Sequence, residues 1–269
     1  SAVPRSVSSG KGDKDALYHL GVQAVHHAGN LYMSSQQTLA DHKDGGVAAG
    51  DAYLAAELGQ AVDGQVLFDA FSRGRYATDA SHYQIEPLGV VVPQTVSDVE
   101  QTLAIARKRD VPVLMRGGGT SQCGQTVGEA VVVDTSKHLN RLLHLDTTAR
   151  TAVVEPGIVL DQLNAKLRPH GLWFPVDVST SSRATIGGMT GNNSCGSRSI
   201  RYGTMRDNVG AIEGLLADGS NMRFERVSDN AANAGLSASH SELVRNLLAL
   251  GREHESLIKT RFPDLMRRV

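Results

Sequence analysis

Residues Arg116–Val127 read RGGGTSQCGQTV, a stretch with three consecutive glycines, two hydroxyl residues and a fourth glycine. Three adjacent glycines weaken any helix or strand that contains them, so this stretch, the glycine loop, needs backbone freedom for another reason. A tight curve of backbone N–H groups without side chains in the way binds anions. The hydroxyls of Thr120 and Ser121 add further donors. We interpret the loop as a cradle for a diphosphate, although a glycine-rich surface turn explains the loop alone equally well.

Two common phosphate-binding motifs do not fit the glycine loop. The P-loop requires a Gly-Lys-Ser/Thr sequence, which this stretch lacks. The dinucleotide motif G-x-G-x-x-G requires glycine where Gln122 stands, and it opens a helix, whereas CGQTVGEAVVV leads into a strand. The sequence therefore indicates binding by backbone N–H groups without a lysine or a metal ion.

The sequence before the glycine loop predicts a βαβ unit. LGVVV at Leu88–Val92 and VPVLM at Val111–Met115 are short apolar runs typical of strands. The intervening SDVEQTLAIARKRD has helical periodicity, with Ser97 and Glu100 as a capping box. We therefore expect a small βαβ lobe at residues 65–125.

The sequence after the glycine loop predicts a larger lobe at residues 127–227. Strands are expected at Ala130–Asp134 and in RLLHLD and RTAVVEPG, of which the last two form an antiparallel pair. VLDQLNAKLRPHG is a predicted helix that stops at Gly171, and a hairpin turns at Asp218–Gly219. The expected fold class is α+β, with a mixed or antiparallel sheet and helices in this lobe.

The two ends of the chain differ from this central part. Residues 1–50 are rich in Gly, Ser, Lys, Asp and His with little periodicity, so we expect a disordered tail, of which residues 1–32 resemble a vector-derived or leader sequence. Residues 51–227 then form the two-lobed domain, and residues 228–269 are predicted to be mostly helical.

A second glycine-rich stretch, the second segment, runs from Asp177 to Thr204 and reads DVSTSSRATIGGMTGNNSCGSRSIRYGT. A loop of this length inside a compact domain is usually functional or disordered. Apolar residues at Ile186, Met189, Ile200 and Tyr202 would anchor it, which disfavours disorder. Because the two glycine-rich stretches belong to different predicted lobes, we expect a ligand clamped between the lobes, and a dinucleotide has the required length.

Composition argues against several classes of function. The formal net charge is −1 and aromatic residues make up 4% of the chain, so a nucleic-acid partner is not expected. Two cysteines, Cys123 and Cys195, are too few for a disulfide scaffold or a thiolate-bound iron–sulfur cluster, and no metal site is predicted. No apolar run approaches the length of a membrane span. The expected location is cytoplasmic, with peripheral association with the inner membrane as the alternative.

The stretches PVLMRGGGTSQCGQ and PVDVSTSSRATIGGMTGNNSCGSRSIRYGT together resemble the PCMH-type FAD-binding domain of the vanillyl-alcohol oxidase superfamily. Within it, they are most similar to FAD-linked D-2-hydroxyacid dehydrogenases of the D-lactate and D-2-hydroxyglutarate type. The resemblance covers Ala70 to Val227 and includes FSRGRYATDAS before the first predicted strand. It implies a two-lobed α+β fold and FAD as the cofactor.

The resemblance also implies which residues bind FAD. In the glycine loop, the positions that match the turn around the diphosphate are Arg116, Gly117, Gly118, Gly119, Thr120, Ser121, Gly124 and Gln125. The positions that match those along the flavin ring, the ribityl chain and the adenine are Pro175, Ser179, Thr185, Gly187, Gly188, Asn192, Gly196, Ser197, Tyr202, Gly203, Val209 and Ile212.

Two positions bear on whether FAD is attached covalently. Some members of the superfamily tether flavin through a histidine in the first loop. Thr120 stands at that position here, and no histidine lies between Arg116 and Lys137, so we expect non-covalent FAD. Cys195 has small neighbours and is expected to be a packed residue rather than a point of attachment.

The implied activity is oxidation of a D-2-hydroxyacid by hydride transfer to FAD, with a quinone, a cytochrome or an electron-transfer flavoprotein as the downstream acceptor. Dehydrogenases of this type continue into a substrate-binding or cap domain. Residues 228–269 would then be the helical start of a truncated cap domain, and no catalytic residue is assigned. The alternatives are a flavin-binding subunit or module without catalytic activity of its own, and an NADPH-dependent reductase of the cell-wall-precursor type.

Overall fold

The computed structural model describes residues 20–23, 47–226 and 238–262, and for residues 20–23 and 238–240 it describes the backbone alone. These residues contain two sheets, one of four strands and one of five. Buried apolar side chains form a core on each sheet, so the molecule has two lobes, and Leu215 of the five-stranded sheet packs into the core of the four-stranded one. The two-lobed α+β architecture expected from the sequence is confirmed.

Short strands and helices follow one another along the chain. The strands are β1 (Leu20–Gln23), β2 (Gln65–Leu67), β3 (Gly89–Val92), β4 (Val113–Arg116), β5 (Val131–Asp134), β6 (Leu142–Asp146), β7 (Thr151–Val154), β8 (Ala211–Leu215) and β9 (Asn221–Glu225). The helices are α1 (Ala52–Ala61), α2 (Ala70–Tyr76), α3 (Val96–Lys108), α4 (Leu160–Leu167), α5 (Ile186–Gly191), α6 (Ser199–Tyr202), α7 (Met205–Asn208), α8 (Ala238–Glu253) and α9 (Glu255–Arg261).

The smaller lobe is built on the four-stranded sheet, whose order is β2-β3-β5-β4. Strands β3, β5 and β4 run parallel, and every residue of β3 and β5 is buried. A parallel strand covered on both faces carries apolar residues without alternation, as VVVD in β5 does. The expected lobe boundary between residues 125 and 127 is therefore wrong, because β5 belongs to the smaller lobe.

Helix α3 of the smaller lobe begins with a different capping box from the one expected. The hydroxyl of Thr95 accepts from the N–H of Asp98 at 3.2 Å, and the Asp98 carboxylate accepts from the N–H of Thr95 at 3.2 Å. Asp98 is buried and also accepts from the N–H groups of Asp63 and Gln94. The predicted capping box of Ser97 and Glu100 is wrong by two residues. The Asp98 carboxylate forms the box instead, because it also accepts hydrogen bonds from the preceding loops.

The larger lobe contains the five-stranded sheet, whose order is β6-β7-β1-β8-β9. The pairs β6–β7 and β8–β9 are antiparallel, and β1 runs parallel to both β7 and β8. Helix α4 buries Leu160, Leu163 and Leu167 in the core of this lobe. The hairpin between β8 and β9 turns at Asp218–Gly219 as expected, with Gly219 at a φ of 83°.

One hydrogen bond joins the lobes on one side: Arg107 on α3 donates to the carbonyl oxygen of Asp218 in the β8–β9 turn.

Strand β1, near the N-terminus, pairs with both β7 and β8 in the larger lobe. The expectation of a disordered tail therefore does not hold for residues 20–23. The rest of that predicted tail up to residue 46 lies outside the described residues.

The C-terminal part of the chain is helical where the structure describes it. Helices α8 and α9 occupy residues 238–261. Residues 227–237 and 263–269 lie outside the described residues, and the assignment of this region to a cap domain stays a prediction. Within the described ranges, no helix combines the length and apolar character that crossing a membrane requires.

Replacing Asp98 by alanine is expected to lower the free energy of unfolding by about 1–3 kcal/mol, because three backbone N–H groups lose a charged acceptor. Glu100→Ala is the matched control, since no hydrogen bond of Glu100 exists among the described residues, and a change within about 0.5 kcal/mol is expected. Urea denaturation of both variants measures the difference. A larger loss in Glu100→Ala would contradict the observed capping box.

Candidate functional site

A cavity of about 930 Å³ has walls from both lobes. The smaller lobe contributes α3, β4 and the glycine loop, and the larger lobe contributes the second segment and the β8–β9 hairpin. A volume of this size is typical of a pocket for a small molecule or a cofactor. The clamp between lobes that the two glycine-rich stretches predict therefore has a structural counterpart.

The glycine loop and the second segment touch each other at this cavity. A Cβ atom on Gly117 would lie 2.1 Å from the Oγ1 atom of Thr185, and a Cβ atom on Gly118 would lie 2.1 Å from the carbonyl oxygen of Arg183. Real Cβ atoms do not approach other atoms so closely. Glycine at these two positions thus serves close packing between the lobes, as well as access for a ligand.

The backbone N–H groups of residues 117–122 donate no hydrogen bond to any part of the chain that the structure describes. Positive φ angles of 65° at Gly119 and 71° at Gly124 bend the loop in the way that only glycine tolerates well. The hydroxyl of Ser121 is engaged within the loop, where it donates to the Oε1 atom of Gln125 at 2.8 Å. The loop therefore presents a row of unpaired donors at the cavity wall, which is the chemistry of an anion site.

A neighbouring stretch, Tyr76–Tyr83, braces the glycine loop from outside the cavity. The N–H of Ala80 donates to the carbonyl oxygen of Gly119 at 3.0 Å, and the hydroxyl of Thr126 donates to Asp79 at 3.1 Å. Burial raises the pKa of Asp79, but hydrogen bonds from Ser81 and Thr126 outweigh it and hold that pKa below the usual range. Asp79 is therefore an ionised acceptor at neutral pH, and the loop is fixed by contacts outside itself.

The second segment is ordered by Asp177 and by Asn208. Asp177 accepts from the hydroxyl of Ser197 at 2.9 Å and from the N–H of Arg198 at 3.0 Å, and Gly196 packs directly on its carbonyl group. The amide of Asn208 donates to the carbonyl oxygens of Tyr202 and Thr204. The segment folds into α5 and α6, so the alternative of a disordered loop is wrong.

The structure places most of the predicted cofactor-binding residues in the lining of this cavity. The predicted residues that line the cavity are Arg116, Gly117, Gly118, Gly119, Thr120, Ser121, Gln125, Ser179, Thr185, Gly187, Gly188 and Asn192. The predicted residues that lie outside its wall, as the structure describes it, are Gly124, Pro175, Gly196, Ser197, Tyr202, Gly203, Val209 and Ile212.

The residues outside the wall have structural contacts that explain their positions. Gly124 is buried against the ring of Tyr83, and Tyr202 packs edge-on against Trp173 with ring centroids 5.4 Å apart. Val209 and Ile212 pack against the core of the larger lobe. Because successive side chains in a strand point to opposite faces, the neighbour Glu213 lines the cavity instead of Ile212.

An apolar section of the wall was missed by sequence reasoning. It combines Val99, Leu114 and Leu139 of the smaller lobe with Leu215 and Met222 of the β8–β9 hairpin. The hairpin itself is predicted from its turn, but the face that meets the other lobe depends on how the two sheets dock. No local pattern in the sequence carries that information.

Both cysteines also line the cavity, and both are exposed. Cys123 belongs to the glycine loop and Cys195 to the second segment. The expectation that Cys195 is a packed residue is therefore wrong, because the small residues around it leave its side chain open to solvent. The two thiols are available as chemical reporters of this cavity.

The charged side chains of the wall are mostly paired with each other or with neighbours. Glu155 is buried and binds Arg141 through its Oε1 atom at 2.6 Å, which raises the pKa of that arginine. Glu213 pairs with Arg223 at 2.7 Å. Arg116 donates to backbone carbonyls only. Within the described wall there is no histidine and no unpaired carboxylate that could serve as a general base.

Residues 87–225 match the FAD binding domain family. The chain belongs to this family. Its cofactor is FAD, and the cavity fits that group, because the row of unpaired N–H groups at its wall suits the diphosphate. The FAD-binding domain is of the type found in the vanillyl-alcohol oxidase superfamily, as the sequence indicates.

Curated relatives of the FAD-binding domain are longer proteins. The chain is 36% identical over 220 residues to D-2-hydroxyglutarate dehydrogenase of Pseudomonas putida, which covers 80% of this chain and 22% of that protein. It is 39% identical over 132 residues to D-lactate dehydrogenase of Archaeoglobus fulgidus, which covers 48% of this chain and 29% of that protein. The chain thus spans less than a third of the length of either relative.

A solved structure supports the fold. The BBE-like 1 protein of Physcomitrella patens, as its D396N variant, superimposes with a TM-score of 0.58 over 65% of this chain and 38% of that one. At 21% identity, this likeness shows the fold of the FAD-binding domain and nothing finer.

Gly118→Ala is expected to raise the Kd for FAD about tenfold and to lower the free energy of unfolding by about 1–3 kcal/mol, because the new Cβ overlaps the Arg183 carbonyl oxygen. Gly128→Ala is the control, since its Cβ would meet only the Cδ2 atom of Leu114 at an ordinary 3.4 Å. Flavin fluorescence titration and urea denaturation measure both effects. Similar results for the two variants would contradict the tight contact between the lobes.

Proposed function

We propose that this chain binds FAD non-covalently in the cavity between its lobes and is the flavin-binding part of a dehydrogenase that oxidises a D-2-hydroxyacid. The observation that carries the proposal is the row of unpaired backbone N–H groups at residues 117–122, placed where the two glycine-rich stretches meet. Such donors favour a diphosphate over a neutral ligand.

The residues of the wall divide the binding between them in this proposal. The N–H groups of residues 117–122 and the hydroxyl of Thr120 would hold the diphosphate. Gly188 and Asn192, which line the same cavity from the second segment, would contact the ribityl chain and the flavin ring. When bound, FAD supplies a two-electron acceptor, and the protein orients and shields it.

The substrate class is proposed from the relatives together with the flavin site. The names of the two curated relatives specify dehydrogenases of D-2-hydroxyglutarate and of D-lactate, both of which are D-2-hydroxyacids. A quinone, a cytochrome or an electron-transfer flavoprotein would take up the electrons. Peripheral association with the inner membrane would suit a quinone acceptor.

A second candidate function is a flavin-binding module without catalytic activity of its own. The described wall of the cavity offers no histidine and no unpaired carboxylate, so a base that takes the hydroxyl proton of the substrate would have to come from elsewhere.

Anaerobic mixing separates these candidates. The test uses the full-length protein that contains this chain, saturated with FAD, and D-2-hydroxyglutarate or D-lactate is added while the flavin absorbance is followed. Bleaching by either acid supports the dehydrogenase, and stable absorbance of the full-length protein with bound FAD supports the module. Bleaching by NADPH instead identifies a reductase. A chain that binds no FAD contradicts all of these functions.

Non-covalent binding predicts that acid precipitation releases all flavin into the supernatant, and yellow protein in the pellet would contradict it.

Because Cys123 and Cys195 are exposed and line the cavity, bound FAD is expected to slow their alkylation by iodoacetamide several-fold. Mass spectrometry of the two cysteine-containing peptides measures the rates. Riboflavin is the comparison ligand, because it has the flavin ring but no phosphate, and should protect Cys123 of the glycine loop less well.

A further inference from the structure

Arg116 is the last residue of β4, at the base of the glycine loop. Its Nη1 atom lies 3.1 Å from the carbonyl oxygen of Thr126, at the far end of the loop, and 3.3 Å from that of Tyr76. Its Nη2 atom lies 2.8 Å from the carbonyl oxygen of Thr78. One side chain therefore closes the loop at its neck and attaches it to the bracing stretch Tyr76–Tyr83.

The tip of the loop also lies against this guanidinium. A Cβ atom on Gly119 would be 2.7 Å from the Nη2 atom of Arg116, so the positive φ of Gly119 brings the backbone directly onto the side chain. The carbonyl oxygen of Gly119 is held in turn by the N–H of Ala80. The cation is thus in contact with the turn that carries the unpaired N–H groups.

The charge of Arg116 has no carboxylate partner among the described residues. The carboxylates of the same wall, Glu155 and Glu213, are already bound to Arg141 and Arg223. The acceptors of Arg116 are neutral carbonyl groups, which orient the guanidinium without cancelling its charge. The guanidinium therefore places a positive charge that no ion pair neutralises next to the glycine loop, and this charge attracts an anion.

The support beneath the guanidinium is buried. The Cζ atom of Arg116 lies 5.3 Å from the centroid of the Tyr76 ring, a cation–π contact. The hydroxyl of Tyr76 donates to Asp134 at 2.8 Å, and Asp134 also accepts from the N–H and hydroxyl of Ser136. Burial, together with the Asp134 charge, raises the pKa of Tyr76, so its hydroxyl stays protonated. The Arg116 side chain is therefore supported, through Tyr76, by buried residues of the smaller lobe.

We propose that Arg116 is a positioning residue for FAD rather than a direct ligand. It holds the glycine loop in the shape that leaves the N–H groups of residues 117–122 unpaired, and it places a fixed positive charge against them. A loop that is already in its binding shape does not lose conformational entropy when the anion arrives. This inference rests on the proposed function, because the anion concerned is the diphosphate of FAD.

Arg116→Ala is expected to raise the Kd for FAD about tenfold or more, while the Kd for riboflavin, which has no phosphate, changes less than about twofold. Arg116→Lys keeps the charge but lacks the planar fork that reaches carbonyls on both stretches, so an intermediate rise is expected. The matched control is Arg75→Ala, which removes an exposed arginine next to Tyr76. Its Kd for FAD should equal that of the wild type.

Hydrogen–deuterium exchange without FAD separates positioning from direct contact. The N–H of Ala80 bonds to the loop and should exchange faster in Arg116→Ala but not in Arg75→Ala. Weaker FAD binding with unchanged Ala80 exchange would make Arg116 a direct ligand and overturn the inference, as would unchanged FAD affinity. If Arg116→Ala does not fold, as judged by circular dichroism, Arg116→Lys provides both measurements. A wild type that binds no FAD refutes the proposed function itself, and the inference with it.

Discussion

The close contact between the backbones of Gly117–Gly118 and Arg183–Thr185 determines the geometry of the whole site. A side chain on either glycine would overlap the opposite stretch, so the two lobes meet only because these positions carry hydrogen in place of Cβ. The same contact places the unpaired N–H groups of the loop on the wall of the cavity. Packing between lobes and recognition of an anion therefore depend on the same residues.

The loop owes its shape both to neighbouring residues and to hydrogen bonds within it, of which that from Arg116 to the Thr126 carbonyl closes its neck. Ala80, Asp79 and Arg116 hold its carbonyls and its hydroxyl, which leaves the N–H groups free on the other side. This division suits a chain with a formal net charge of only −1, because anion binding then needs few charged side chains. Fixed backbone dipoles also bind an anion without the reorganisation that flexible lysines require.

Local sequence patterns predict the βαβ unit, the β8–β9 hairpin and the importance of both glycine-rich stretches, because each depends on residues close together in the chain. Features that depend on how distant elements and the two lobes pack together cannot be predicted in this way. Asp98 replaces Glu100 in the capping box because it also serves Asp63, 35 residues away. Ile212 packs into the core and Glu213 lines the cavity, because elements distant in sequence form the surroundings of each side chain. Arg116 likewise binds the carbonyl oxygen of Thr78, which lies far from it in the chain.

The shared wall of the cavity couples ligand binding to the cooperativity of folding. Each lobe has its own cluster of buried apolar residues, and the lobes are joined by the buried side chain of Leu215, by the contacts around the cavity and by Arg107 and Asp218. A molecule that touches both walls adds to those contacts only while the lobes are docked. By thermodynamic linkage, the melting temperature of the domain then rises with the concentration of free cofactor, and the two lobes unfold as one unit instead of two.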